Sequence, residues 1–271
     1  MVADRWFGIV ANGPFGVVAI CAHEDTPHLR RMLADFRRSL GADRVYLLFD
    51  ASKTAPPRDR HLLTFTNAEC AARNPFHKSN WHNAEGKIIA LKKALDETGE
   101  PFVWMIESDV GCDGDIATCL SRCRDSRADF MAFRTRAYAD EPGWAWWESL
   151  RGEIADRVPV EDRVGCFFPV TRYSRAMVGA VDRNMGKSSG HCEAYVPTLA
   201  IAEGLVVDEI PASVEGDVGF AIYATLPGRG DHRLYHKYVP KEQRAVLLHY
   251  YYYIASAALL LLFIIAIRRI S

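Results

Sequence analysis

The sequence has little of what marks several common classes of protein. Its seven cysteines are odd in number and form no CxxC pair. Neither a disulfide framework nor a zinc finger is therefore expected, and the thiols read as mostly buried and reduced. Neither sign of charge is in excess, with 33 Lys and Arg against 34 Asp and Glu, which gives no footing for a nucleic-acid partner. There is no internal repeat and no low-complexity block. The opening run "MVADRWFGIVANGPFGVVAICAH" carries an acid and too short an apolar stretch for a signal peptide.

What remains is an ordinary globular balance, 49% hydrophobic and 25% charged, in a chain long enough for one large domain or two small ones. One segment stands apart. Residues 250–267 carry no charge, opened by four tyrosines and closed by Arg268 and Arg269. At about 1.5 Å per residue such a helix just crosses a hydrocarbon core, so residues 246–268 are expected to form one C-terminal transmembrane helix. With no signal peptide, the folded domain is expected on the cytosolic side of a single-pass anchor.

The body alternates strands and helices. "GVVAICAH" (16–23) has the pattern of a short buried strand. Thr26 reads as an N-cap with Pro27 at the first helical position. Leu29, Met32, Leu33, Phe36 and Leu40 follow at helical spacing, and Gly41 ends the helix. "RVYLLFD" (44–50) is a second strand, giving a parallel strand–helix–strand unit. Residues 51–80 read as loop. A helix is expected over 84–99, a strand over 102–106, a short helix over 115–124 and a strand over 129–135. The second half predicts a strand at 166–171, a helix at 174–183, a helix at 192–204 that Pro197 starts or kinks, and a strand at 205–210. The order implies an α/β domain with a mostly parallel central sheet flanked by helices. In such sheets ligands bind beyond the carboxyl ends of the strands.

That rule gives meaning to "FVWMIESDVGCDGD" (102–115), where a buried strand runs into four carboxylates. Positions i and i+2 of a strand point to one side, so Glu107 and Asp109 can present oxygens to one point. Hard cations such as Mg2+ and Mn2+ take such ligands and hold phosphates as well. Asp113 and Asp115 read as turn and N-cap residues of the next helix.

The strands "VVAICAHED" and "RVYLLFD", a helix, and then "WMIESDV" together resemble the GT-A fold of nucleotide-sugar-dependent glycosyltransferases, in which an acid-x-acid motif closes the nucleotide-binding half. "GHCEAYVPTLAIAEG" (190–204) looks like an acceptor-side motif of some members, and "LYHK" (234–237) sits where a late histidine completes the metal shell. The resemblance spans roughly residues 16–240 and implies a GT-A-like domain over 1–245, with a nucleotide-binding half (16–135) and an acceptor half (136–245). The family usually begins the triplet with Asp, whereas this chain has Glu107.

Carried over residue by residue, the resemblance makes Glu107, Asp109 and His236 the ligands of Mn2+ or Mg2+, with His232 the alternative histidine. Asp50 would meet the base or ribose, His23 and Glu24 would lie along the nucleotide, and Lys87 would meet a phosphate. Glu193 would be the general base of an inverting reaction, kept ionised by a helix N-terminus; a retaining reaction needs no such base. Trp144, Trp146 and Trp147, in "GWAWWESL", offer a stacking platform for a sugar acceptor, with core packing the favoured reading and Trp147 or Trp144 expected to line the acceptor cleft.

The implied activity is metal-dependent transfer of a sugar from a nucleotide-sugar donor to a glycan, glycolipid or protein acceptor at a membrane. A catalytically degenerate binding module and a sugar nucleotidyltransferase are the alternatives. The latter is disfavoured because "CAHEDTPHL" lacks a glycine- and arginine-rich phosphate loop.

Overall fold

The computed structural model describes residues 16–77, 85–217 and 230–236. Strand β1 (Val17–Ala22) leads through α1 (Pro27–Leu40) to β2 (Val45–Asp50). Local chemistry sets the boundaries of α1. The Thr26 hydroxyl accepts the Leu29 N–H at 3.1 Å, Pro27 opens the helix, and Gly41 leaves it at φ 96°. Next come β3 (Leu62–Phe65), α2 (Asn67–Arg73), α3 (Glu85–Thr98), β4 (Phe102–Glu107), β5 (Val110–Asp113), α4 (Ile116–Ser121) and β6 (Phe130–Ala137). The rest comprises β7 (Arg151–Gly152), α5 (Glu153–Arg157), β8 (Val164–Ser174), α6 (Arg175–Asn184), β9 (Ser188–Ser189), α7 (Cys192–Ala202), β10 (Val207–Glu209), β11 (Glu215–Asp217) and β12 (Arg233–His236).

Seven strands form one sheet in the order β10-β6-β8-β4-β1-β2-β3. Every pairing is parallel except those of β8, which runs against both β4 and β6. The expected α/β architecture with a mostly parallel sheet is thus present. Alternate residues of each strand enter opposite cores. Val17, Ala19, Val103 and Met105 face α3, α6 and α7, whereas Val18, Ile20, Trp104 and Ile106 face α1 and α4. Strands covered on both faces must be apolar throughout, which is why β1, β2 and β4 read as continuous hydrophobic runs.

Several expectations need correcting. Residues 51–80 hold β3 and α2 where loop was expected; α2 opens on a capping box in which Thr66 and Glu69 satisfy each other's backbone N–H. Strand β8 runs well beyond 166–171 because it is central and antiparallel on both sides. Of the two roles expected for Pro197, starting the helix is overturned, since it lies inside α7. The single-pass architecture and membrane location are also corrected: among the described residues no helix is long and apolar enough to cross a membrane. The longest, α1 and α3, have 14 residues each, about 21 Å of helix against a hydrocarbon core of about 30 Å. Residues 246–268 lie outside the described residues.

Arg172 is the largest buried charge in the sheet, 1% exposed. Its guanidinium donates to the carbonyls of Cys123, Ser126 and Ala128 at 2.9–3.2 Å and lies over the rings of Phe102 and Trp104. It therefore pins the irregular stretch after α4 beneath the sheet. Arg172→Met would remove the guanidinium from all three carbonyls, leaving that of Cys123 only the Ser126 N–H at 3.3 Å, and a loss of about 3 kcal/mol is expected in chemical denaturation. A loss below about 1 kcal/mol would mean that water replaces the guanidinium.

A second sheet brings the distant end of the described chain to the first. Strand β12 pairs parallel to β11 and antiparallel to β5, with His236 opposite Val110. Because β5 follows β4 after only Ser108 and Asp109, this ladder delivers His236 to the exit of the central strand.

Candidate metal and catalytic site

Glu107 is the last residue of β4 and pairs in register with Cys21 of β1, and the Ser108 N–H donates to the Cys21 carbonyl at 3.0 Å. The exits of two central parallel strands are thereby fixed side by side. Asp109 follows in the short turn into β5. Glu107, Asp109 and His236 are all half-buried, and one ligand atom from each lies within 4.8 Å of the others. The imidazole Nε2 of His236 is 3.6 Å from Asp109 Oδ2, and its ring packs edge-on against Phe167 at 5.2 Å. Two carboxylates and one imidazole, partly shielded and converging, form a donor set suited to Mn2+ and, with fewer nitrogen contacts, to Mg2+.

His232 plays a different part, as its Nδ1 accepts the Asp115 N–H at 2.8 Å. Asp115 caps α4, accepting from the Thr118 N–H at 2.8 Å, as expected from the sequence. Asp113, buried at 6% exposure, belongs to β5.

Lys87 extends from α3 into the protein, not into solvent. It is 4% exposed, with Nζ 3.2 Å from Glu107 Oε1 and 5.4 Å from the centre of the Phe168 ring. Burial alone would lower its pKa, but the Glu107 carboxylate together with the Cys21 and Cys192 sulfurs more than offsets this and holds the ammonium charged. The sequence alone favours a solvated lysine here, and the structure corrects that; the signal that points to burial is the helical spacing of Lys87 with Leu91 and Leu95.

Glu193 stands in the first turn of α7. The expectation that the helix N-terminus would keep its pKa low is corrected. Burial raises it to about 7, against the opposing pull of the Phe168 N–H hydrogen bond and of Arg136. The charges of Glu107 and Lys87 act on it as well, in opposite directions. A carboxyl group with a pKa near neutrality can accept a proton under physiological conditions.

The proposed nucleotide contacts line the same edge of the sheet. His23 and Glu24 are exposed just beyond β1, and the His23 carbonyl accepts from the Thr54 hydroxyl at 2.8 Å. Asp50 ends β2 and turns the chain, its Oδ1 accepting from the Ser52 N–H at 2.9 Å.

Among the tryptophans, Trp147 is core, 1% exposed, with its indole N–H donated to the Glu141 carbonyl at 2.8 Å. It does not line a cleft. Trp144 packs edge-on against Trp147 and lies under Arg136. The exposed member of the three is Trp146, not the Trp144 or Trp147 expected at the cleft; it is 37% exposed and stacked flat on His191 with ring centres 3.9 Å apart. His191 Nδ1 in turn lies 3.9 Å from Glu193 Oε2. The tryptophan cluster pointed to this region, but its spacing did not single out the exposed ring.

Residues 186–190, Gly-Lys-Ser-Ser-Gly, also have the spacing of a hydrolase nucleophile elbow. Ser188 is nevertheless 1% exposed in the two-residue strand β9, where its hydroxyl accepts the Ile154 N–H at 3.0 Å. It is a structural serine.

No family model and no curated protein matches the chain. Among solved structures it is similar to an active-site mutant of LgtC, 10% identical over 81% of this chain and 86% of that one, with a TM-score of 0.42. It is similar also to a cytidylyltransferase from Leptospira borgpetersenii serovar Hardjo-bovis, 10% identical over 74% and 76%, with a TM-score of 0.35. A third is the mannosyltransferase PcManGT from Pyrobaculum calidifontis, solved in complex with GDP-Man and Mn2+, 12% identical over 63% of this chain and 47% of that one, with a TM-score of 0.35. Likenesses this distant carry no functional argument, and the function is inferred from the site.

Proposed function

We propose that the chain is a metal-dependent glycosyltransferase of GT-A type. It would move a sugar from a nucleotide-sugar donor to a hydroxyl of a glycan, glycolipid or protein acceptor. One observation carries this reading: Glu107 and Asp109, at the carboxyl end of the central strand, and His236, from a distant part of the chain, bring one ligand atom each within 4.8 Å of the others. Ligand sites in open α/β sheets lie at that edge.

On this reading the donor is bound by residues 16–135 and the acceptor by residues 136–245. Glu107, Asp109 and His236 would hold Mn2+ or Mg2+, and such a cation supplies positive charge against that gathering on a departing diphosphate. His23, Glu24 and Asp50 would line the nucleotide. Glu193 would take the proton from the acceptor hydroxyl, its raised pKa keeping the conjugate acid and base close in energy near pH 7. Attack assisted by such a base, opposite the leaving group, inverts the sugar's anomeric configuration.

The test is nucleoside diphosphate release by the full chain from a panel of nucleotide sugars, with Mn2+ or with EDTA. One donor is expected to yield diphosphate with Mn2+ and none with EDTA. Undiminished release in EDTA would remove the metal from the reaction. Release from no donor, with and without simple glycan acceptors, would reject the assignment.

A further inference from the structure

The metal reading leaves Lys87 unexplained, since a buried cation beside a cation site works against metal binding. Resting on that reading, we propose that Lys87 sets the charge of the site. The protein alone then holds a divalent cation weakly, and holds it firmly only when a diphosphate arrives with it. The lysine reaches the site from α3, beneath the sheet edge, and its Nζ stands 3.2 Å from Glu107 Oε1 with only 4% of the residue exposed. Glu107 therefore serves two positive charges, Lys87 on one side and the candidate metal position on the other.

Charge counting shows the consequence. Glu107 and Asp109 each contribute one negative charge, His236 contributes a neutral nitrogen when it ligates, and Lys87 returns one positive charge. A dication would thus meet a shell of net charge −1. Oxygen-ligand sites tune their affinity through this count of ligand charge. A diphosphate supplies the missing negative charge and completes the shell, so metal and nucleotide would enter together. Lys87 cannot move aside cheaply, because it is only 4% exposed and the Phe168 ring lies 5.4 Å from its ammonium. Its role is to set affinity through Glu107, not to touch the phosphate itself.

The experiment is titration of the full chain with MnCl2, following free Mn2+ by electron paramagnetic resonance, alone and with saturating UDP, GDP, CDP or ADP. Wild type, Lys87→Met, Lys87→Gln and Lys87→Arg are compared. Removing the charge is expected to tighten binding of Mn2+ alone by at least about tenfold in the Met and Gln variants. Lys87→Arg, which keeps the charge, should stay within about threefold of wild type. Gln retains a donor to Glu107, so it remains informative should Met at this buried position fail to fold. Unchanged or weaker Mn2+ binding by a folded Met or Gln variant would overturn the inference while leaving the transferase reading intact, provided wild type binds Mn2+ with a diphosphate. A wild type that binds no Mn2+ even with every diphosphate would overturn both.

Discussion

Asp109→Asn is expected to reduce sugar transfer by about a thousandfold, the kinetic equivalent of about 4 kcal/mol. The amide has the shape of the carboxylate but not its charge, so the candidate metal shell would lose one of its two anionic ligands. The fold should not notice. The Asp109 side chain is 32% exposed in a turn, and β4 and β5 are held by their own ladders on either side. The melting temperature of the unliganded variant should therefore stay within a few degrees of wild type, while Mn2+-dependent nucleotide binding disappears. Steady-state kinetics beside a thermal melt checks both halves. A folded variant retaining more than about a tenth of wild-type kcat/KM would remove Asp109 from the metal site.

Glu193→Gln is expected to lower kcat by about a hundred- to ten-thousandfold, the range that a positioned general base contributes. Donor binding should survive, because the cluster that would hold the metal diphosphate is untouched. The pH dependence supplies a second signature. The carboxylate accepts a proton only when ionised, and burial puts its pKa at about 7, so wild-type kcat should rise as pH passes through that value. In the Gln variant this rise should vanish. The stability consequence has a definite sign. A carboxyl group whose folded pKa lies above its unfolded value favours the fold when protonated, and that advantage is lost as pH rises toward 7. At pH 8 the Gln variant should thus melt no lower than wild type. A kcat within tenfold of wild type, or a pH profile that keeps its rise, would assign the base elsewhere or point to a retaining reaction.

Much of the scaffold was legible because local rules and tertiary packing agree. Thr26, Pro27 and Gly41 mark the ends of α1, and Leu29, Met32, Leu33 and Phe36 all lie in the core as their spacing required. Strands β1, β2 and β4 announced themselves as apolar runs because both their faces are covered. The acidic pair was legible for a similar reason, since its chemistry follows directly from position at a strand's exit. What stayed hidden depends on partners distant in sequence. The β5–β12 ladder that seats His236 joins segments far apart along the chain, and no local pattern fixes its register. The stack of Trp146 on His191 likewise joins a loop to a helix terminus. Glu193 shows the limit of reading one local effect: its helix N-terminus was visible, but the burial that outweighs it was not. Strand β3 was passed over because a four-residue strand at the sheet edge carries too little pattern to stand out.

The most direct test of the central claim is a thermal melt of the full chain against UDP, GDP, CDP and ADP, each with and without Mn2+. At about 100 times its dissociation constant a ligand stabilises the fold by about 2.7 kcal/mol, several degrees in melting temperature. The account predicts that one diphosphate stabilises the protein with Mn2+ and has little effect without it, and that Asp109→Asn abolishes the shift. A well-folded protein stabilised by none of these pairs would contradict the metal–nucleotide site and leave the converging carboxylates and histidine as structure alone.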